Sequence, residues 1–243
     1  MPVFTTRKTA EAYGFPVGIL LLDEARPRAP GDVAAAASYR YPVLFRRVPG
    51  ASLDRVLHGD PELEAAVAEA ARELEREGVK GIASDSGCFI NYQRAVVKAV
   101  GVPVFLSSLM QLPFIASCIG RQRAIGIVTL ERRALGNRVL ALSGVDARRG
   151  IIVAGLEDQP NFAAIRAGHD ELDTVRAEAE AVAVARRLVG EHPEIGAILL
   201  EGAMLPPYSR AVQQATRLPV FDFLGMIDYF QKGAHRAAYR GYY

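Results

Sequence analysis

The chain of 243 residues is long enough for one large α/β domain or for two small ones with separate cores. Half of its residues are hydrophobic, and its formal net charge is only +2, from arginines that are scattered along the chain. These properties predict a soluble globular protein and argue against nucleic-acid binding. The apolar run at residues 17–22 is too short to span a bilayer and lacks a signal-peptide cleavage pattern, so we expect a cytoplasmic protein without a membrane partner.

The cysteines and histidines argue against a metal or a disulfide framework. Cys88 and Cys118 are the only cysteines, and the four histidines show no paired metal-ligand spacing. No glycine-rich nucleotide-binding motif follows the first predicted strand. We therefore expect no metal and no cofactor.

Short apolar runs alternate with longer segments whose apolar residues recur at helical spacing. The strand runs are almost continuously apolar, as is typical of a parallel sheet covered by helices on both faces. The predicted strands are residues 17–22, 43–45, 81–84, 104–106, 124–129, 150–154, 197–200 and 220–221. The predicted helices are residues 61–77, 91–100, 109–119, 132–142, 173–189, 207–216 and 223–231.

The second half of the chain repeats the first. The repeated segments are Tyr-x-Arg-Ala-Val at 92–96 and 208–212 and Pro-Val-Phe at 103–105 and 219–221, both 116 residues apart, and Gly-Ile at 18–19 and 126–127, 108 residues apart. The first offset also pairs Ser86 with Gly202. The repeat predicts an α/β fold of two pseudo-symmetric lobes, each with a parallel four-stranded sheet, and an active-site cleft between them. We place the first lobe at residues 1–120 and the second at 121–222, with a C-terminal helix at 223–236 packing on the first.

Ligands of open parallel sheets bind beyond the carboxyl ends of the strands. The loop from Ser84 to Cys88 could bind an anion through backbone N–H groups and a hydroxyl, although Ser and Asp are also ordinary helix caps. Cys88 could be a thiolate favoured by a helix N-terminus or a small buried apolar residue. The predicted substrate-binding residues are Asp23, Ser84, Asp85, Gly87, Ser107, Thr129, Gly202, Ala203 and Tyr208.

Several segments together resemble the aspartate/glutamate racemase superfamily, which includes amino-acid and hydantoin racemases, maleate isomerases and arylmalonate decarboxylases. These segments are Gly-Ile-Leu-Leu-Leu-Asp at 18–23, Pro-Arg-Ala-Pro-Gly-Asp at 27–32, Pro-Val-Phe-Leu-Ser-Ser-Leu at 103–109, Glu-Asp-Gln at 157–159, and residues 199–208 ending in Pro-Pro-Tyr. The resemblance implies a cofactor-independent enzyme, dimeric or a higher homo-oligomer, acting on a small amino-acid-like carboxylate. It also implies two cysteines, one on each loop, that remove and return the proton next to the carboxylate.

This chain departs from that pattern at both cysteine positions. Ser86 stands at the first, Gly202 stands at the second, and Ala203 replaces the neighbouring threonine. Two-thiol racemisation is therefore not expected. We expect another proton transfer next to the carboxylate, of isomerase, lyase or decarboxylase type, with Ser86, Cys88 and Glu201 as candidate catalytic residues. The alternatives are a Ser86-dependent hydrolase and a non-catalytic carboxylate-binding protein.

Overall fold

Two parallel β-sheets, one in each half of the chain, organise the computed structural model, which describes residues 13–146 and 148–236. The first sheet has the strand order β2-β1-β3 and the second the order β5-β4-β6-β7. The strands are β1 (Val17–Leu21), β2 (Val43–Arg47), β3 (Ile82–Ser84), β4 (Ala124–Thr129), β5 (Ile151–Gly155), β6 (Ile195–Glu201) and β7 (Val220–Phe221).

Helices connect these strands and cover both sheets. They are α1 (Leu53–His58), α2 (Glu64–Arg76), α3 (Gln93–Ala99), α4 (Leu112–Cys118), α5 (Asn137–Leu142), α6 (Pro160–Arg166), α7 (Thr174–Glu191), α8 (Ser209–Thr216) and α9 (Phe223–Ala234). Five of the predicted helices begin with a 3-10 segment, and α1 and α6 were not predicted. Each of these two has at most seven residues, too few to show a helical period in the sequence. None of the helices in the described ranges is long and apolar enough to cross a bilayer.

The strand register confirms the duplication that the sequence predicts. Gly18 pairs with Ile82 in the first sheet, and Gly126 pairs with Ile198 in the second. The pairing of β1 with β2 is likewise repeated 108 residues later between β4 and β5. The two lobes therefore share a backbone plan down to the individual residue pair.

The first sheet has three strands, so the predicted fourth strand at residues 104–106 is wrong. Val104 makes only an isolated bridge with Ile82. Beyond it, the Gln93 side chain binds the backbone of Val104 and Leu106, and Ser84 Oγ donates to the Leu106 carbonyl. Because side chains satisfy these backbone groups, the segment needs no further strand ladder.

The C-terminal helix α9 covers one face of the first sheet. Phe223 and Ile227 are buried in the same cluster as Ile19 and Phe105. Phe230 stacks on Phe105 with ring centroids 4.2 Å apart. Helix α9 thus belongs to the first-lobe core, whereas the proposed boundaries near residues 120 and 222 stay a prediction.

Candidate active site

The carboxyl ends of β3 and β6 meet around a small cavity with a volume of about 50 Å³. This inner cavity adjoins an outer groove of about 960 Å³, and the two share Arg26, Leu53, Leu57, Leu130, Glu131, Ala134 and Met204. The inner cavity is lined from both lobes by Arg26, Arg28, Asp85, Ser86, Gly87, Cys88, Thr129, Glu131, Glu201, Gly202 and Ala203, among others. The structure thus brings most of the predicted site residues together.

The two loops at the cavity share one backbone hydrogen bond at equivalent positions. In the first loop, Phe89 N donates to Ser86 O at 3.1 Å, and in the second, Leu205 N donates to Gly202 O at 3.2 Å. These two hydrogen bonds are again 116 residues apart. Ser86 and Gly202 therefore hold equivalent places, as the ungapped repeat predicts.

The first of these strand ends is held by a buried charge network. Asp85 Oδ1 accepts from Leu22 N at 2.9 Å, and Asp85 Oδ2 forms an ion pair with Arg28 at 2.7 Å. Arg28 also contacts Asp32 at 3.2 Å. Burial raises the pKa of Asp32, and the neighbouring Arg28 opposes that rise. Asp85 therefore supports the loop through charged partners.

The second strand end carries a buried carboxyl without a cationic partner among the described side chains. Thr129 Oγ1 donates to Glu201 Oε2 at 2.5 Å. Burial raises the pKa of Glu201, and the Thr129 hydrogen bond opposes the rise only in part. Glu201 Oε1 faces the first loop so closely that a Cβ at Gly87 would overlap it. Glu201 is therefore a carboxylic acid of raised pKa at the contact between the two loops.

The first loop presents a hydroxyl and a thiol to the cavity. Ser86 is 7 % exposed, and its side chain makes no capping hydrogen bond to the 3-10 segment that follows it. Burial raises the pKa of Cys88 to about 12, and the charge of Glu201 adds to the rise. A hydrogen bond from Ser86 and the charge of Arg26 act in the opposite direction. Cys88 is thus a neutral thiol at neutral pH.

The backbone of the second loop disfavours any side chain at the equivalent place. Gly202 has a φ of +138°, a conformation that L side chains rarely adopt. A Cβ there would lie 3.2 Å from Leu130 and 3.5 Å from Leu205. The backbone conformation itself therefore favours glycine at this position.

Four of the predicted substrate-binding residues do not line the inner cavity: Asp23, Ser84, Ser107 and Tyr208. The hydroxyls of Ser84 and Ser107 are fully buried and hydrogen-bond to nearby backbone groups. Asp23 lies in an exposed loop, and the Tyr208 ring packs in the second-lobe core against Phe162. These four side chains therefore lie outside the inner cavity.

Sequence reasoning missed three charged residues on the cavity wall: Arg26, Arg28 and Glu131. Arg28 lies in the Pro-Arg-Ala-Pro-Gly-Asp segment at 27–32, which was the available signal for the loop after β1. Glu131 forms an ion pair with Arg166 of α6, a helix that the sequence did not predict. No group of three or more potential metal ligands occurs in residues 13–146 and 148–236.

The chain is similar in sequence to several proteins named dimethylsulfoniopropionate lyases. It is 34% identical over 224 residues to a dimethylsulfoniopropionate lyase of Durusdinium sp. clade D, covering 89% of this chain and 74% of that protein. It is also 34% identical to dimethylsulfoniopropionate lyase 7 of Emiliania huxleyi, covering 88% of this chain and 65% of that protein. The chain spans 56% of lyase 3 of the same alga. No protein-family model matches.

Solved structures of the racemase superfamily share the fold. Unliganded arylmalonate decarboxylase aligns with a TM-score of 0.61 and 17% identity, over 92% of this chain and 94% of that chain. Allantoin racemase from Pseudomonas fluorescens aligns with a TM-score of 0.60 and 13% identity, over 89% of both chains. Glutamate racemase from Bacillus anthracis aligns with a TM-score of 0.55 and 11% identity, over 94% of this chain and 83% of that chain. At these identities the likeness concerns the two-lobe fold.

Proposed function

Because this chain belongs to the dimethylsulfoniopropionate lyase family, within the aspartate/glutamate racemase superfamily of enzymes, we propose that it is a lyase. The proposed reaction removes the proton next to the carboxylate of a small acid and expels a leaving group from the neighbouring carbon. Dimethylsulfoniopropionate, the substrate in the names of the relatives, is the first candidate. The proposal includes a cofactor-free reaction and a cytoplasmic homodimer or higher homo-oligomer, as the superfamily resemblance implies.

The difference between the two loops is the observation that carries this proposal. Racemisation needs proton carriers on opposite faces of the substrate carbon, and Gly202 offers no side chain on its face. Elimination needs only one base, since the leaving group departs from the adjacent carbon. A site without a pair of thiols on opposite faces therefore favours elimination over two-thiol racemisation.

Glu201 is the proposed base. It lines the cavity, and its raised pKa makes its ionised form a stronger base than an exposed carboxylate. A cationic sulfonium group in the cavity would favour the ionised form of Glu201 by direct attraction. Glu201 would take the proton from the substrate carbon next to the carboxylate. The electron pair of that C–H bond would form the C=C bond, and the electron pair of the C–S bond would leave with dimethyl sulfide. The other product would be acrylate.

Ser86 is assigned a binding role in this reaction. Its hydroxyl can donate a hydrogen bond to the enolate-like charge that develops on the substrate carboxylate. The backbone N–H groups of Gly87 and Cys88 follow it at the start of the 3-10 segment and have no acceptor among the described residues. They would add donors to the same charge.

The hydrolase alternative is less well supported. A serine nucleophile needs a base within hydrogen-bond reach. The histidines His58 and His169 line the outer groove and are absent from the wall of the inner cavity. A non-catalytic binding protein remains the second candidate, because Ser86 and Gly202 replace both thiols of the superfamily pattern.

Proton NMR in D₂O tests the proposal. The purified protein is incubated with dimethylsulfoniopropionate, and the release of acrylate and dimethyl sulfide is followed together with deuterium exchange next to the carboxylate. We expect wild-type turnover, a loss of at least about a hundredfold in Glu201→Gln, and a smaller loss in Ser86→Ala. The exposed Glu178→Gln serves as the control and should retain wild-type rates.

The outcomes separate the candidates. Full activity in Glu201→Gln would remove Glu201 as the base, and acrylate release lost in Ser86→Ala but kept in Glu201→Gln would move the essential group of the elimination to Ser86. If neither exchange nor product forms while resonances of an added acid broaden, the binding-protein hypothesis replaces the lyase.

A further inference from the structure

The guanidinium groups of Arg26 and Arg28 both line the inner cavity. They differ in how many of their N–H donors have a hydrogen-bond partner. Arg28 lies between two buried carboxylates, at 2.7 Å from Asp85 and 3.2 Å from Asp32. Both of its terminal nitrogens are therefore occupied. Arg28 is part of the framework of the first loop.

Arg26 has donors to spare. Its contact with a carboxylate among the described residues is one long ion pair, from Nη2 to Glu24 Oε2 at 3.4 Å. Its Nε is buried and has no hydrogen-bond partner in the part of the chain that the structure describes. A guanidinium carries five N–H donors, and a buried donor left unpaired is costly. Arg26 therefore keeps unused donors beside the inner cavity, where an acceptor could bind.

The position of Arg26 is set by its neighbours. Its side chain is only 14 % exposed, and Glu24 is itself anchored because its Oε1 accepts from Leu53 N at the start of α1. Arg26 lines both the inner cavity and the outer groove. Its charge also acts on Cys88 in the first loop. Arg26 therefore lies where the inner cavity and the outer groove adjoin.

We infer that Arg26 binds the carboxylate of the substrate and sets the specificity of the site for acids. The inference rests on the proposed function in taking the ligand to be a small carboxylate. A planar guanidinium can hold a carboxylate through two parallel N–H···O bonds, which fixes its orientation as well as its charge. With the carboxylate held by Arg26 together with Ser86, the rest of a propionate-sized molecule would lie in the inner cavity with Glu201.

Calorimetric titration with propionate and with propionamide tests this inference directly. Propionamide has the same shape and lacks the charge, so it measures the part of binding that does not need Arg26. We expect propionate to bind wild-type protein, Arg26→Gln to lose at least tenfold in affinity, and Arg26→Lys to lose less. Propionamide should bind the variants and the wild type alike.

Arg138→Gln is the matched control, because Arg138 is an exposed arginine on the wall of the outer groove and does not line the inner cavity. It should bind propionate with wild-type affinity. Circular dichroism and a thermal melt show whether each variant folds, and Arg26→Lys keeps the test open if Arg26→Gln does not. Equal affinity for propionate in wild type and Arg26→Gln, or an equal loss in Arg138→Gln, would overturn the inference.

Turnover of dimethylsulfoniopropionate by the same variants separates this inference from the proposed function. Turnover with a KM that Arg26→Gln leaves unchanged would refute the role of Arg26 and leave the lyase standing. Propionate binding that depends on Arg26, without turnover, would refute the lyase and support Arg26. A wild-type protein that neither binds propionate nor turns over substrate would refute both.

Discussion

The two strand ends that face each other across the cavity occupy equivalent places in the repeat and have opposite chemistry. Asp85 and Glu201 are equivalent by the repeat, yet Asp85 lies in an ion-pair network and Glu201 has only the neutral hydroxyl of Thr129. One carboxyl is held by charge and supports the fold. The other keeps a raised pKa and an oxygen turned toward the opposite loop. Duplication therefore preserved the geometry, while substitution divided structural and chemical roles between the halves.

The largest expected effect comes from removing the cation of the first strand end. Arg28→Gln leaves the buried carboxylates of Asp85 and Asp32 without their partner, and we expect a loss of about 3 kcal/mol in the free energy of unfolding. Urea denaturation measures it. The control is Arg72→Gln, which breaks an exposed pair with Glu69 and should cost less than about 1 kcal/mol. Equal losses in the two variants would show that the first strand end is not held by buried charge.

Gly202→Ala tests the backbone of the second loop. A side chain at a φ of +138° is strained, so we expect a loss of about 1–3 kcal/mol in the free energy of unfolding. Gly190→Ala in α7 is the matched control, because no atom lies within 4 Å of its added Cβ and alanine favours helix. That variant should gain about 0.5–1 kcal/mol. An unchanged free energy of unfolding in Gly202→Ala would mean that the turn does not require glycine.

The pH dependence of stability tests the raised pKa of Glu201. The folded state holds this proton to higher pH than the unfolded chain, whose pKa is near the ordinary value of 4.5. Between the unfolded and the folded pKa of Glu201, the unfolded state therefore binds fewer protons than the folded state. The free energy of unfolding falls as the pH rises above about 4.5, and the fall ends once the pH exceeds the folded pKa. Glu201→Gln removes this fall. In thermal melts from pH 4 to pH 9, the melting temperature of Glu201→Gln relative to wild type should increase as the pH rises. The exposed Glu178→Gln should show the same pH dependence as wild type.

The smallest effect concerns the two cysteines, which serve as each other's control. Cys88 has a pKa raised to about 12, whereas Cys118 is exposed at the end of α4. Alkylation requires the thiolate, so iodoacetamide at pH 7.5 should modify Cys118 long before Cys88. Peptide mass spectrometry gives the two rates. Faster modification of Cys88 would contradict its assignment as a neutral thiol and make it a candidate nucleophile again.

Local sequence patterns predicted most of the strands and the equivalence of the two cavity loops. Apolar runs located seven of the eight predicted strands, and the ungapped repeat paired Ser86 with Gly202 correctly. The eighth strand prediction was wrong because the Gln93 side chain, on α3, binds the backbone of Val104 and Leu106 in place of a strand ladder. The sequence predicted which polar residues lie in the loops, but it did not predict how deeply each side chain is buried. Ser84 and Ser107 were predicted to bind the substrate through their hydroxyls, but both side chains are fully buried.

The sequence by itself determined the duplicated α/β plan, the two loops that meet, and the loss of both superfamily thiols. These features are local, because a strand, a turn and a residue type are visible within a few positions. Only the tertiary structure decided which charges share the cavity. Arg28 meets Asp85 across 57 positions and Thr129 meets Glu201 across 72, distances that no periodicity encodes. The raised pKa of Glu201 and the free donors of Arg26 arise from burial, which depends on packing of the whole chain.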